Sequence, residues 1–257
     1  MIVLKSASEL TVMRVAGNIV AAVLEELKLM ITPGITLRDL DHRAELLTKK
    51  YGAIPAFKGY NGFPASLCAS VNEEVVHGIP GHQILKNGDI VGLDFGVVYQ
   101  SFYGDSAITV MVGAVSPEAS KLIKVTQEAL HQGITQAKAG NRLYDISGAI
   151  QDYVENQGFS VVRDFVGHGI GRQMHESPQI PNFKGNDFNP KLKAGMTLAI
   201  EPMVNVGTYE VEVDAHDNWT VRTADRKLSA HFEHTIAITD SEPEILTLFK
   251  PELLPKG

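Results

Sequence analysis

The chain has 257 residues, 44% of them hydrophobic and 21% charged, with a formal net charge of −7 and one cysteine, Cys68. That composition belongs to a globular protein with a sizeable core. The negative balance argues against nucleic acid as a main partner, and a single thiol excludes an intrachain disulfide and fits a reducing, cytoplasmic compartment. No basic segment followed by an apolar run opens the chain, so no signal peptide is expected. No apolar run is read as approaching the ~18–20 residues of a membrane span.

Residues 8–29 place Leu10, Met13, Val20, Val23, Leu24 and Leu27 near helical spacing and predict an amphipathic helix, with Ser8 as its cap. Thr32-Pro33-Gly34 breaks it, and residues 37–51 predict a second helix stopped by Gly52. A Gly- and aromatic-rich loop (57–64), a short strand (65–71) and a turn at 77–81 follow. Residues 90–112 then predict a hairpin with Asp94 in its first strand and Asp105 opening its second. At period 2, Gly92, Asp94 and Gly96 share one face against Val91, Leu93, Phe95 and Val97, while Asp105, Ala107 and Thr109 share a face in the second strand. Both acids lie on the small-residue face, a floor cleared for something to sit on. Buried acids need a counter-charge, and a metal cation is the usual one. Beyond the hairpin, helices are predicted over 117–138 and 143–156, a strand over 161–166, and a loop at 167–171 around His168. Further strands are expected over 197–206, within 211–220, and over 231–239.

The order contains an internal repeat. Gly34-Ile-Thr-Leu-Arg-Asp-Leu matches Gly140-Asn-Arg-Leu-Tyr-Asp-Ile, Gly52 matches Gly158, and Leu85-Lys-Asn-Gly matches Leu192-Lys-Ala-Gly. Extending the register sets Asp94 opposite Glu201, and Asp105-Ser-Ala-Ile-Thr-Val resembles Glu233-His-Thr-Ile-Ala-Ile. The expectation is one domain spanning 1–257, with pseudo-symmetric halves at about 8–112 and 116–239. It would be α+β: a curved, mostly antiparallel sheet carrying all four acids, with helices on its outer side. Four carboxylates balance two divalent ions, and a metal pair ~3.5–4 Å apart suits hydrolysis by a bridging hydroxide. His168, between two glycines, is the best nitrogen ligand.

With these residues assembled, the chain closely resembles the bacterial type I methionine aminopeptidases, peptidase family M24, of the pita-bread (creatinase/aminopeptidase) fold. The matching stretches are Cys68 to Pro80, Asp94 with Asp105, Gly167-His168-Gly169-Ile170-Gly171 with His175-Glu176, Glu201-Pro202-Met203, and His231-Phe232-Glu233-His234-Thr235. The resemblance implies that Asp94, Asp105, His168, Glu201 and Glu233 bind two divalent ions (Co, Mn, Fe or Zn), with Asp105 and Glu233 bridging. It implies Glu201 as proton shuttle. His175 would donate to the scissile carbonyl or its oxyanion, and His77 would hold the scissile amide nitrogen. Phe57, Tyr60, Phe63, Cys68, Met174 and Trp219 would form the methionine pocket, where sulfur meets aromatic rings. Asn72, Glu74 and Ser229 correspond to a monovalent-cation site. The implied activity removes initiator methionine from nascent chains with a small second residue, by a monomer in transient ribosome contact, with no specific nucleic acid and no membrane. Several relatives carry Cys at the position of Phe57 and Phe at that of Met174, which puts the pocket's shape in doubt.

Other readings are weaker. An X-Pro aminopeptidase or prolidase would be expected to carry more chain, and a non-catalytic binding protein on this fold would be expected to lose ligands. His231 and His234 read as structural residues. Cys68 reads as a buried, inert thiol, and the glycines around His168 lack the spacing of a dinucleotide-binding loop.

Overall fold

The computed structural model describes residues 1–255. Helix α1 spans Ala7–Met30, α2 Leu37–Lys50, α3 Pro117–Gln136 and α4 Leu143–Asn156. The cap of α1 is Ser6 rather than Ser8: its side chain accepts from Glu9 N, and Glu9 reaches back to the Ser6 N–H. Such a box satisfies amide groups that the helix itself leaves unpaired. Contrary to the expectation that no apolar run approaches a membrane span, α1 is long and apolar enough to cross one by length and hydropathy. Instead its apolar face is buried, with Ile19, Val20, Val23, Leu24 and Leu27 packed against Val91, Leu93, Phe95 and Val97 of the hairpin. Each such side chain contributes about 1.5–3 kcal/mol on leaving water.

The strands that position the site are β1 (Cys68–Val71), β2 (Ile90–Tyr99), β3 (Phe102–Met111), β4 (Gly167–Gly169), β5 (Glu176–Ile180), β6 (Thr197–Ile200), β7 (Met203–Asn205), β8 (Ser229–His231) and β9 (Glu233–Ala237). Among the described residues, one nine-stranded sheet runs Ile54–Pro55, β2, β3, β9, β6, β4, β5, with β1 also paired to β2 and Glu244–Ile245 to β9. Every one of its pairings is antiparallel. One face packs on helices: Leu93 and Phe95 meet α1, while Leu198, Ile200 and Ile236 join α3 and α4 in a second apolar cluster. The opposite face carries the acids. This is the α+β arrangement anticipated above, with helices outside.

Three predicted strands end differently. The 197–206 segment breaks at Glu201-Pro202, because Pro202 has no N–H for the ladder; β6 stays in the large sheet and β7 pairs with β8 in a second one. The 231–239 segment breaks alongside it, where Phe232 N donates to Pro202 O at 3.3 Å. Glu201 and Glu233 thus both sit where the chain changes sheets. The third is 161–166, where only Ser160–Val161 is strand; the stretch expected as a loop, 167–169, is β4. Asp105 lies inside β3 rather than at its start.

Local hydrogen bonds recur at the repeated segments. Gly34 N donates to Leu85 O and Leu85 N to Ile35 O; Gly140 N donates to Leu192 O and Leu192 N to Asn141 O. Thr36 bridges Ile84 as Arg142 bridges Lys191.

Candidate metal centre

The site is built by register. Across the inner face of the sheet Cys68 pairs with Asp94, Asp94 with Ala107, and Ala107 with Glu233. Asp105 pairs with Gly96, one step along the same face. A Cβ at Gly96 would lie 2.8 Å from the Phe57 ring and 3.2 Å from Asp105 Oδ1, so the absence of a side chain keeps the floor open. Strands β3 and β9 are fixed to each other by Thr235, whose hydroxyl accepts from Asp105 N at 3.1 Å and donates to Asp105 O at 2.7 Å. His168 enters from β4, paired to Ala199, with a register shift between His168 and Gly169. A Cβ at Gly167 or Gly169 would collide with backbone carbonyls of the flanking strands, which explains the glycines around this histidine better than loop flexibility does.

Ligand-capable atoms of Asp105, His168 and Glu233 lie within 4.8 Å of one another, all buried. His168 Nε2 is 3.5 Å from Glu201 Oε1. The His168 Nδ1–H donates to Gly169 O at 2.9 Å, since a carbonyl can only accept. That fixes the tautomer and leaves the Nε2 lone pair facing the acids, the state a metal ligand requires. Burial holds the imidazole neutral, its pKa lowered to about 4.

The carboxylates are unbalanced. Asp94 Oδ1, Asp105 Oδ1 and Glu233 Oε1 are buried and make no hydrogen bond within the protein. No Lys or Arg among the described residues pairs with Asp94, Asp105, Glu201 or Glu233. Loss of hydration raises all four carboxyl pKa values, that of Asp105 to about 7, and mutual repulsion adds to the rise for Asp94, Glu201 and Glu233. Buried acids with bare oxygens beside a neutral imidazole form a donor set suited to a cation. The residues present therefore fit divalent ions.

The sequence matches the description of metallopeptidase family M24 over residues 11–240. It is 56% identical to methionine aminopeptidase 1 of Bacillus subtilis over 96% of this chain and 99% of that one. The chain belongs to the methionine aminopeptidases of metallopeptidase family M24. A crystal structure of methionine aminopeptidase from Thermotoga maritima superimposes with a TM-score of 0.94 at 48% identity, covering 96% of this chain and 99% of that one. A prolidase from Pyrococcus horikoshii shares the fold alone, at 23% identity and TM-score 0.78, with 97% of this chain matched to 65% of that one. The fold is thus the pita-bread fold.

For a member of this family the remaining expected residues fall together. A cavity of about 200 Å³ is lined by Phe57, Tyr60, Phe63, Cys68, Met174 and Trp219 together with the five ligand candidates, His77 and His175. Phe63 meets Trp219 edge-on at 5.2 Å, and Trp219 meets His77 at 6.2 Å. Tyr60 Oη and His175 Nδ1 are 2.7 Å apart, and the His175 ring lies 4.4 Å from that of His168. His77 occupies a left-handed backbone conformation (φ 60°), and burial lowers its pKa to about 4. The Cys68 thiol is buried with its pKa pushed well up by burial and by Asp94, which leaves it a packing group.

Asn72, Glu74 and Ser229 are neighbours but largely satisfied. Ser229 N donates to Asn72 O at 2.9 Å, and Glu74 pairs with Arg222 at 2.7 Å and accepts from Val71 N.

Two residues of the site escaped the sequence reading. Asn61 lines the cavity from the aromatic loop. His231, read as structural, has its buried Nε2 3.7 Å from Glu201 Oε2, without a hydrogen bond in the protein. Its position two residues before Glu233 was the available signal. His234 does point away, to Thr247 Oγ1 at 2.8 Å.

Proposed function

We propose that this chain removes N-terminal methionine from peptides and nascent proteins with a small second residue, using two divalent ions held by Asp94, Asp105, His168, Glu201 and Glu233. The observation carrying the reading is the set of buried carboxyl oxygens without partners, in a cavity that apolar side chains also line. Divalent ions there would supply Lewis acidity and make a coordinated water nucleophilic at neutral pH. The cavity's rings and sulfur atoms take the unbranched thioether side chain of methionine. Glu201, bracketed by two imidazoles, is the carboxylate placed to accept a proton from water and deliver it to the leaving amine. His175 donates toward the scissile carbonyl oxygen, with Tyr60 orienting its ring, and His77 holds the amide nitrogen. Asp105 and Glu233, on neighbouring strands at the centre of the row of acids, would both hold the ions.

On this reading the chain is one domain of two equivalent halves, each giving a helix pair and two acids. It works as a cytoplasmic monomer in transient contact with the ribosome. A monovalent cation would be held by main-chain carbonyls of Asn72, Glu74 and Ser229, because the Glu74 carboxylate already has Arg222 as its partner.

Methionine release is measured from Met-Ala-Ser, Met-Leu-Ser and Ala-Pro peptides, with chelated protein as control. Cleavage of Met-Ala-Ser is expected to exceed that of Met-Leu-Ser by about 100-fold or more, comparable with discrimination by a shaped pocket plus a steric limit, and to vanish on chelation. Preferential cleavage of Ala-Pro would reassign the chain to the X-Pro peptidases.

A further inference from the structure

Two residues of the candidate site, Met174 and His175, lie in a turn over residues 171–176, and a buried ion pair from the far N-terminus of the chain ends in that turn. Arg172, Gln173 and His175 are exposed, so apolar packing holds the turn only at Met174. Polar contacts do the rest. Glu176 Oε1 accepts the N–H of Arg172 at 2.8 Å and of Gln173 at 3.2 Å, closing the turn. Its second oxygen, Oε2, pairs with Nζ of Lys5 at 2.5 Å. The Lys5 side chain is only 3% exposed, and its backbone N–H donates to Gly195 O at 2.7 Å. Gly171 leaves the room: a Cβ there would strike the Lys5 side chain. On the outer side Arg172 lies over the Phe102 ring at 4.4 Å and reaches Glu9, the residue that closes the cap of α1, at 3.2 Å. The buried ammonium also donates to Val3 O at 3.3 Å, within its own segment, and Glu176 is the one carboxylate it pairs with among the described residues, so the pair sets a single register for the turn.

We propose that Lys5 is a positioning residue for His175: through Glu176 it latches the turn to the N-terminal segment and holds the imidazole at the cavity mouth. The latch rests on the reading of His175 as a substrate-facing group. A lysine outside the cavity then influences the chemistry by placing a donor, not by touching substrate.

The test compares wild type, Lys5→Met, the double variant Lys5→Met/Glu176→Gln, and Lys49→Met, which removes an exposed pair on α2. The readouts are amide hydrogen exchange over residues 171–177, kcat and KM on Met-Ala-Ser, and calorimetric divalent-ion binding. In Lys5→Met the Arg172 and Gln173 amides are expected to exchange about tenfold faster, with kcat down about tenfold, KM within about threefold, and ion binding and Lys49→Met unchanged. If Lys5→Met does not fold, the double variant, which buries neither charge alone and keeps an oxygen to close the turn, carries the same expectation for kcat and exchange. Exchange at the wild-type rate, or wild-type kcat despite faster exchange, overturns the proposal, as does a fall in ion binding matching the fall in kcat. If the wild type itself releases no methionine, the functional reading fails, and the exchange rates still decide the latch.

Discussion

Glu201→Gln is expected to lower kcat for Met-Ala-Ser by about 10²–10⁴-fold, the range for loss of a positioned general acid–base. The substitution keeps the shape and one coordinating oxygen but removes the proton acceptor. Glu201 lines the same cavity as the methionine-pocket side chains, so the account requires the loss to fall on kcat, with KM within about threefold of wild type. A large rise in KM with kcat unchanged would place Glu201 in substrate binding instead. Its environment is consistent with the assigned role: the side chain is 14% exposed, has an imidazole on either side, and its pKa lies well above the ordinary carboxyl value.

Stripped of divalent ions, the protein is expected to lose stability as pH rises from about 6.5 to about 8, and to recover when ions are restored. Asp105 keeps its proton to about pH 7 when folded, against an ordinary value of 3.8. The folded chain then binds more protons than the unfolded one, and stability falls with rising pH by up to about 1.4 kcal/mol per pH unit for each proton held. Asp94, Glu201 and Glu233 are raised in the same direction. The buried imidazoles act oppositely at lower pH. His77, His168 and His234, lowered to about 4, and His231, lowered to about 3, are neutral when folded, so their contribution rises with pH until the unfolded value of 6.5 is passed. Above that point the part of the decline belonging to Asp105 ends near pH 7, and the part that continues toward pH 8 belongs to Asp94, Glu201 and Glu233. Urea midpoints with chelator and with Mn²⁺, at both pH values, check it. A chelated protein whose midpoint stays flat or rises over this interval would contradict the account of the acids.

Much of this site was legible in the sequence because period-2 alternation is a strict rule. Asp94 and Asp105 fall on the face opposite Leu93 and Phe95 whatever the tertiary structure, and small residues beside them mark a floor. The repeat made Glu201 and Glu233 visible as their counterparts. What stayed hidden depends on neighbours distant in sequence. The chain changes sheets at Pro202 and Phe232 together, an event shared between two strands that neither segment announces alone. The glycines around His168 look like a flexible loop in the sequence, whereas they are required by the carbonyls of strands on both sides. The relation of His231 to Glu201 is invisible in the sequence because it exists only after β8 pairs with β7. The cap of α1 moved to Ser6 because Glu9 completes a box there.

The most direct measurement is an anomalous difference map from crystals soaked in Mn²⁺. Two peaks within ~4 Å of each other, enclosed by Asp94, Asp105, His168, Glu201 and Glu233, are predicted. No peak among these five side chains, in crystals that bind Mn²⁺ elsewhere on the chain, would contradict the metal centre and the chemistry built on it.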